Sequence, residues 1–515
     1  MQPYISKFNP SDMSDDVVLS LATGRKQLLH EVLDTLEDNN NSESACQHLL
    51  IWGPRGMGKS FFLKYLRINF EADERFKNCR FISLPEEQSN IVFASDLIRM
   101  ILSQLTGKGF VEVTSYWTEP EGAWDKAYKE LLTYIDAQKV QFGKYLLVVV
   151  VENLEELFKQ FDDIDQGRIR QMLERLTSFT LIGANPQADV DSDYNQRIFH
   201  VFKQMRLQAW KEEDYLAYFE RRFRLDIERQ GLPFDTQRFN ILKAKLKAIS
   251  QFTGGSPRMA VVLSNLLLKD DVISTAKTLY GLIDDLTPYY QDLTKTIPKR
   301  SKILFDALIR HKENLSQSEL AEKIGTHQNQ ISRAFYWLVV NGYLLGAKRQ
   351  DSKHFRYYVA DRVYVLYYFR REVYHDKDYT PIWLMADFLT VFYQKEELRE
   401  RALRFLLEKP SHAKSFAAAN KILSSLKDHA DKVYTQEFLN NFFGGLIKEG
   451  IKNDLLRDIS DEAMRLFSEP HHRIIPEAAL HVAQYVASGK SLAYLEKLHP
   501  DMAITVESIV KEADL

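Results

Sequence analysis

The apolar positions of this chain fall into two regimes. In the first two fifths, short apolar runs alternate with amphipathic stretches. Residues 145–151 are almost purely apolar and rich in valine, the pattern of a strand buried on both faces of a parallel sheet. Further strands are predicted at 80–84 and 178–184, and a helix at 95–105. Upstream, a helix is predicted over 25–37, ending in the polar linker 38–44. Such βα alternation implies an α/β fold with a doubly wound parallel sheet. From about residue 211 the period becomes helical, at 214–230, 237–250 and 256–268.

Residues 295–372 form a different block. Helices are predicted at 299–312, 316–324 and 329–341, followed by strand-like 343–345 and 355–359 around the polar hairpin 348–353. Three helices and a hairpin make a winged helix-turn-helix. Beyond residue 380 helical spacing recurs at 398–407, 416–426, 438–447 and 478–486 without a clean repeat period. The aromatic run 364–369 reads as helix core rather than as a platform for stacking bases.

Length and composition narrow the class. A chain of 515 residues with 45% hydrophobic content holds several domains with ample core. No apolar run is long enough to span a bilayer, and the N-terminus lacks the pattern of a signal peptide. Two cysteines, Cys46 and Cys79, cannot form a metal cluster, so a reducing cytoplasm is expected. The net charge is −3, but it is unevenly spread. Residues 295–372 carry 15 Lys+Arg against 7 Asp+Glu, a net of +8, so the remainder carries −11. A basic module on an acidic chain is the footprint of phosphate-backbone contact.

The densest chemistry lies at Gly53-Pro54-Arg55-Gly56-Met57-Gly58-Lys59-Ser60. It follows the apolar residues 50–52 and precedes the amphipathic stretch 61–66. Strand, glycine-rich loop and helix in that order form a phosphate loop. Its glycines let backbone N–H groups turn toward anionic oxygens. Lys59 reaches the β- and γ-phosphates, and the Ser60 hydroxyl binds Mg²⁺. The helix dipole adds positive potential at the same place. ATP and Mg²⁺ are therefore the expected cofactors.

Such a site needs an acid at the end of a neighbouring strand, and Glu152 is the strong candidate. Usually two acids stand there; here the pair is Glu152-Asn153. Either Glu152 holds the metal and Asn153 takes the place of the base, or Val151 replaces the metal acid and Glu152 is the base. Glu155 and Glu156 follow within a turn and are potential substitutes. With one usual carboxylate missing, slow or partner-stimulated hydrolysis is expected. Asn185, after the 178–184 strand, is placed to touch the γ-phosphate, although Asn before Pro186 is also an ordinary turn signal. Gly254-Gly255-Ser256-Pro257-Arg258 reads as a sharp turn into a helix, with Ser256 as N-cap and Pro257 first in the helix. It would present Arg258 to the phosphates; a solvated helix-start arginine is the plainer alternative. On the winged module, Gln328, Asn329 and Arg333 lie on the candidate recognition helix, and Lys348, Arg349, Lys353 and Arg356 on or beside the wing.

Taken together, Gly24-Arg25, the phosphate loop, the 148–153 strand end, Asn185, the Gly-Gly-Ser-Pro-Arg turn and the winged helix closing in Tyr357-Tyr358-Val359-Ala360-Asp361 resemble the AAA+/STAND ATPases. The closest branch is the archaeal-type group related to origin-recognition initiators. The resemblance implies four parts: a nucleotide domain over 1–210, a helical lid over 211–294, a winged helix over 295–372 and an all-α domain over 373–515. It places Gly24 and Arg25 by the adenine, Asn185 as first sensor and Arg258 as second. It further implies a homo-oligomeric ring or filament with an arginine finger from a neighbour, for which Arg197 and Arg206 are candidates. The expected function is a Mg-ATP switch in a prokaryotic DNA transaction or antiphage defence, with double-stranded DNA and an effector protein as partners. The alternatives are a signalling sensor whose winged helix binds protein only, and a nucleotide-stabilised scaffold.

Overall fold

The computed structural model describes residues 10–85, 91–107, 118–187, 200–228, 231, 233–268, 272–311, 315–348, 355–369, 392, 481, 484–485 and 488–512. The chain opens with α1 (Asp15–Leu21), α2 (Lys26–Asn41), β1 (His48–Trp52), α3 (Lys59–Ala72), β2 (Arg80–Ser83), α4 (Ala94–Thr106) and α5 (Ala123–Phe142). Next come β3 (Leu147–Glu152), α6 (Leu154–Gln160), α7 (Asp163–Arg175), β4 (Phe179–Asn185), β5 (Phe202–Arg206) and α8 (Glu212–Glu228). Helices α9 (Thr236–Phe252), α10 (Pro257–Leu263), α11 (Val272–Asp285), α12 (Thr287–Lys295), α13 (Lys299–Arg310), α14 (Gln317–Lys323) and α15 (Gln328–Val340) follow. The hairpin β6 (Leu344–Lys348) and β7 (Phe355–Val359) leads to α16 (Arg362–Tyr368), then α17 (Leu492–Leu495) and α18 (Pro500–Glu512). These elements group into two units, one of Met1–Phe234, Gly255–Met259 and Thr296–Ala360, the other of Asp235–Gly254, Ala260–Lys295 and Asp361–Leu515.

The first unit is built on a five-stranded parallel sheet in the order β2-β3-β4-β1-β5. Alternate residues of its central strands feed opposite faces. Leu50, Leu147, Val149, Val151 and Leu181 pack with Ile98, Leu131, Leu154 and Ile169 from helices α4 to α7. Leu49, Ile51, Val148, Val150 and Ile182 pack with Leu29, Val32, Phe62 and Leu66 from α2 and α3. Both faces are covered, so the sheet is doubly wound and every residue of β1 is buried. The same unit holds α13, α14, α15 and the antiparallel pair β6-β7.

Among the elements that escape the periodicity reading are β5 and α5. β5 buries only Phe202 and Met205, and its polar residues Lys203, Gln204 and Arg206 mark a sheet edge. Helix α5, of 20 residues, buries Trp124, Ala127, Leu131 and Ile135 at helical spacing on an otherwise charged surface.

One buried polar residue couples the sheet to pH. His48 in β1 is 1% exposed, with Nδ1 accepting from the Leu181 N–H at 3.0 Å and Nε2 2.9 Å from the Leu173 carbonyl. Burial lowers its pKa from 6.5 to about 4. The unfolded chain therefore takes up a proton that the folded chain refuses. Stability is fully present above pH 6.5 and falls as pH drops toward 4, by as much as about 3 kcal/mol at ~1.4 kcal/mol per unit. Urea unfolding of His48→Gln, compared with the parent at pH 7.5 and 5, checks this: the variant has a flatter pH dependence.

In the second unit α9, α11, α12 and α16 bury Leu246, Ile249, Leu279, Ile283 and Tyr290. The Tyr290 hydroxyl donates to Asp361 Oδ2 at 3.0 Å, and Asp361 caps α16 by accepting from Val363 and Tyr364 N–H. All residues of 363–369 are buried, so the aromatic run is helix core. The predicted helices at 398–407, 416–426 and 438–447 lie outside the described residues. Among the described residues no helix is long and apolar enough to cross a membrane.

Candidate nucleotide site

β1 ends at Trp52 and α3 begins at Lys59, so the loop Gly53–Gly58 stands at the C-terminal edge of the sheet. Gly56 and Gly58 have φ of +85° and +88°, which a side chain would strain. Close neighbours restrict the loop further. A Cβ on Gly56 would lie 3.0 Å from Arg258 Cβ, and one on Gly53 would lie 2.8 Å from the Leu207 carbonyl oxygen.

Lys59 donates to the carbonyls of Gly53 at 2.7 Å and Pro54 at 3.3 Å. Burial lowers its pKa to about 8, with Glu152 opposing the shift and Arg55 adding to it. The Ser60 hydroxyl donates to Glu152 Oε2 at 2.5 Å. Glu152 closes β3, and β4 lies between β3 and the loop strand β1. Hydroxyl and carboxylate thus meet across an intervening strand, giving two hard oxygen donors suited to a divalent cation.

Asn153 has φ +54°, in the left-handed region that asparagine tolerates better than most residues. The backbone alone accounts for an asparagine at this position. Glu155 pairs with Lys159 at 2.7 Å, and its N–H donates to Asn185 Oδ1 at 3.1 Å. Asn185 does not follow its strand but is the last residue of β4, only 3% exposed. Its carbonyl accepts from the Gly53 N–H at 3.2 Å. One residue thereby ties the start of the Gly53–Gly58 loop to the helix after Glu152.

The turn before α10 touches the loop directly. The Arg258 N–H donates to the Gly56 carbonyl at 3.1 Å, and Ser256 Oγ accepts from the Met259 N–H at 3.4 Å. Gly255 is required because a Cβ there would lie 2.3 Å from the Trp210 carbonyl oxygen. Gly24 has φ +65° and its missing Cβ leaves room for the Asp214 carboxylate. Arg25, 6% exposed, donates to the carbonyls of Gln208 at 2.8 Å and Met57 at 3.1 Å. Burial lowers its pKa to about 10, with Asp214 opposing. Both of its hydrogen bonds go to main chain, one of them in the Gly53–Gly58 loop. The periodicity reading missed Asp214; its place in the acidic first turn of α8 reads as ordinary helix capping.

In the block 295–372 Gln328, Asn329 and Arg333 are exposed on α15. Arg356 is ion-paired with Glu319 at 2.9 Å, and Glu319 also closes the capping box of α14. Lys348 ends β6, while Arg349 and Lys353, like the finger candidate Arg197, lie outside the described residues. The module also exposes apolar surface: Ile303 is 53%, Tyr336 61% and Phe355 52% exposed.

No family model matches the chain, and no curated protein matches its sequence. Among solved structures it is similar to the Walker-type ATPase PABY2304 of Pyrococcus abyssi, at 13% identity over 67% of this chain and 95% of that one, with a TM-score of 0.43. It is also similar to the Aeropyrum pernix Orc1 protein in complex with DNA, at 13% identity over 70% and 95%, TM-score 0.32. The Thermotoga maritima RuvB Holliday junction branch migration motor gives 14% identity over 66% and 94%, TM-score 0.31. At such values nothing about activity carries over, and the functional reading stands on the residues.

Proposed function

We propose that the chain is a Mg-ATP-dependent switch of the AAA+ type, related to origin-recognition ATPases. The observation that carries this is the Ser60–Glu152 hydrogen bond, which joins the loop hydroxyl to the strand-end acid. Gly56 and Gly58 leave the loop N–H groups free of side chains, Lys59 supplies a cation, and Ser60 with Glu152 would hold the metal. Mg²⁺, when bound, neutralises developing charge on the phosphates. Contact between Ser60 and Glu152 favours the register in which Glu152 is the metal acid and Asn153 takes the place of the base. Hydrolysis is then slow. Arg258 reports on the loop through the Gly56 carbonyl, and Asn185 through the Gly53 N–H.

The winged module contacts duplex DNA through the exposed end of α15 and the wing. Its net charge of +8, set against an acidic remainder, supports that choice. A protein partner is the second reading, favoured by the exposed Ile303, Tyr336 and Phe355. Fluorescence anisotropy with labelled duplex at several salt concentrations, with ATP and with ADP, separates the two. The DNA reading expects Lys348→Glu with Arg349→Glu to weaken binding to every sequence. The slope of log affinity against log salt then falls by about 0.9 per lost phosphate contact. Absence of binding in both nucleotide states contradicts the DNA reading and leaves the protein partner.

A further inference from the structure

The edge strand ends in an arginine that the site described above does not use. Arg206 is the register partner of Trp52, the residue before the first glycine of the phosphate loop. The Leu207 N–H donates to the Trp52 carbonyl at 2.7 Å, so edge strand and loop leave the sheet side by side. The Arg206 guanidinium lies over the Trp52 indole, 5.2 Å from the ring centroid. A Cβ built on Gly342, in the turn between α15 and β6, would lie 3.4 Å from both Arg206 Nη2 and Pro54 Cγ. Arg206 Nη2 and Pro54, the second residue of the loop, thus both border Gly342.

Two other cations of the site, Lys59 and Arg25, donate to main chain. Lys59 is held by the Gly53 and Pro54 carbonyls, and both contacts of Arg25 go to Gln208 and Met57. Arg206 differs: among the described residues it has the indole beside it and neither a carboxylate nor a hydrogen-bond acceptor. Desolvation lowers its pKa with nothing raising it. A planar fork of donors with no protein acceptor, beside a loop that binds a polyanion, matches phosphate oxygens. Position selects which phosphate. The Lys59 ammonium, the group that reaches the β- and γ-phosphates, lies at the Gly53–Pro54 end of the loop, and Arg206 lies at that same end.

We propose that Arg206 contacts the γ-phosphate of the ATP bound by its own chain, acting in cis rather than as a finger in a neighbour's site. The inference rests on the nucleotide reading above. The test is equilibrium binding of a non-hydrolysable ATP analogue and of ADP, each with Mg²⁺, to the parent, Arg206→Gln and Arg206→Lys. Gln keeps much of the stem over the indole, and Lys keeps the charge without the fork. The expected result for Arg206→Gln is about 10- to 100-fold weaker binding of the ATP analogue, the range of a lost charge-assisted hydrogen bond, with ADP affinity unchanged. Arg206→Lys should fall between. Equal loss of both ligands, or no loss, overturns the assignment. Mixing Arg206→Gln chains with Lys59→Ala chains, which retain Arg206, should restore nothing; recovered analogue affinity would place Arg206 in a neighbour's site and overturn the cis assignment. A parent chain that binds neither nucleotide overturns the nucleotide reading itself, and this inference with it.

Discussion

Lys59→Ala abolishes measurable Mg-ATP binding and leaves a folded protein. Lys59 brings the site's one ammonium to the Gly53–Pro54 end of the loop, where it rests on two carbonyls. A phosphate placed there would exchange neutral acceptors for an anionic one. Charge-assisted contacts contribute about 1.5–3 kcal/mol each, so losing two weakens binding by roughly 10²-fold or more. Folding should tolerate the change, because burial already disfavours the charge and lowers its pKa to about 8. Fluorescent-nucleotide titration and thermal unfolding read the two effects separately. ATP affinity equal to the parent's in a folded variant would remove Lys59 from the site.

Glu152→Gln abolishes hydrolysis while ATP still binds. The amide oxygen can still accept from Ser60, so strand end and loop stay joined, but the negative charge that would hold Mg²⁺ is gone. Both registers predict lost turnover, by about 10²-fold or more where a general base is removed. Metal affinity separates them. If Glu152 is the metal acid, the variant needs much more Mg²⁺ for ATP binding; if it is the base, the Mg²⁺ requirement is unchanged and only turnover falls. Turnover equal to the parent's would mean that the acid lies elsewhere.

What was legible in the sequence follows from burial. The central strands β1, β3 and β4 are mostly apolar because both faces are covered, with His48, Thr180, Glu152 and Asn185 as their polar residues, and the Gly53–Gly58 loop carries its glycines where the backbone needs them. The edge strand β5 was hidden because a sheet edge tolerates Lys203, Gln204 and Arg206. Asn153 invited a catalytic explanation for a missing acid, yet its left-handed backbone accounts for an asparagine. Asn185 read as the residue after its strand, whereas it ends β4: its buried side-chain oxygen accepts from α6 and its main-chain carbonyl accepts from the loop. Contacts such as the Arg25 guanidinium with the Met57 carbonyl, or Arg258 N–H with the Gly56 carbonyl, end on main-chain acceptors over long sequence separations and leave no pattern in residue types.

Isothermal titration calorimetry of the parent chain with ATP, with and without Mg²⁺, tests the central claim most directly. One ATP per chain is expected, bound more tightly with Mg²⁺ because Ser60 and Glu152 supply the metal's protein oxygens. Absence of binding, or binding indifferent both to Mg²⁺ and to Lys59→Ala, would contradict the claim that Gly53–Ser60 and Glu152 form a Mg-ATP site.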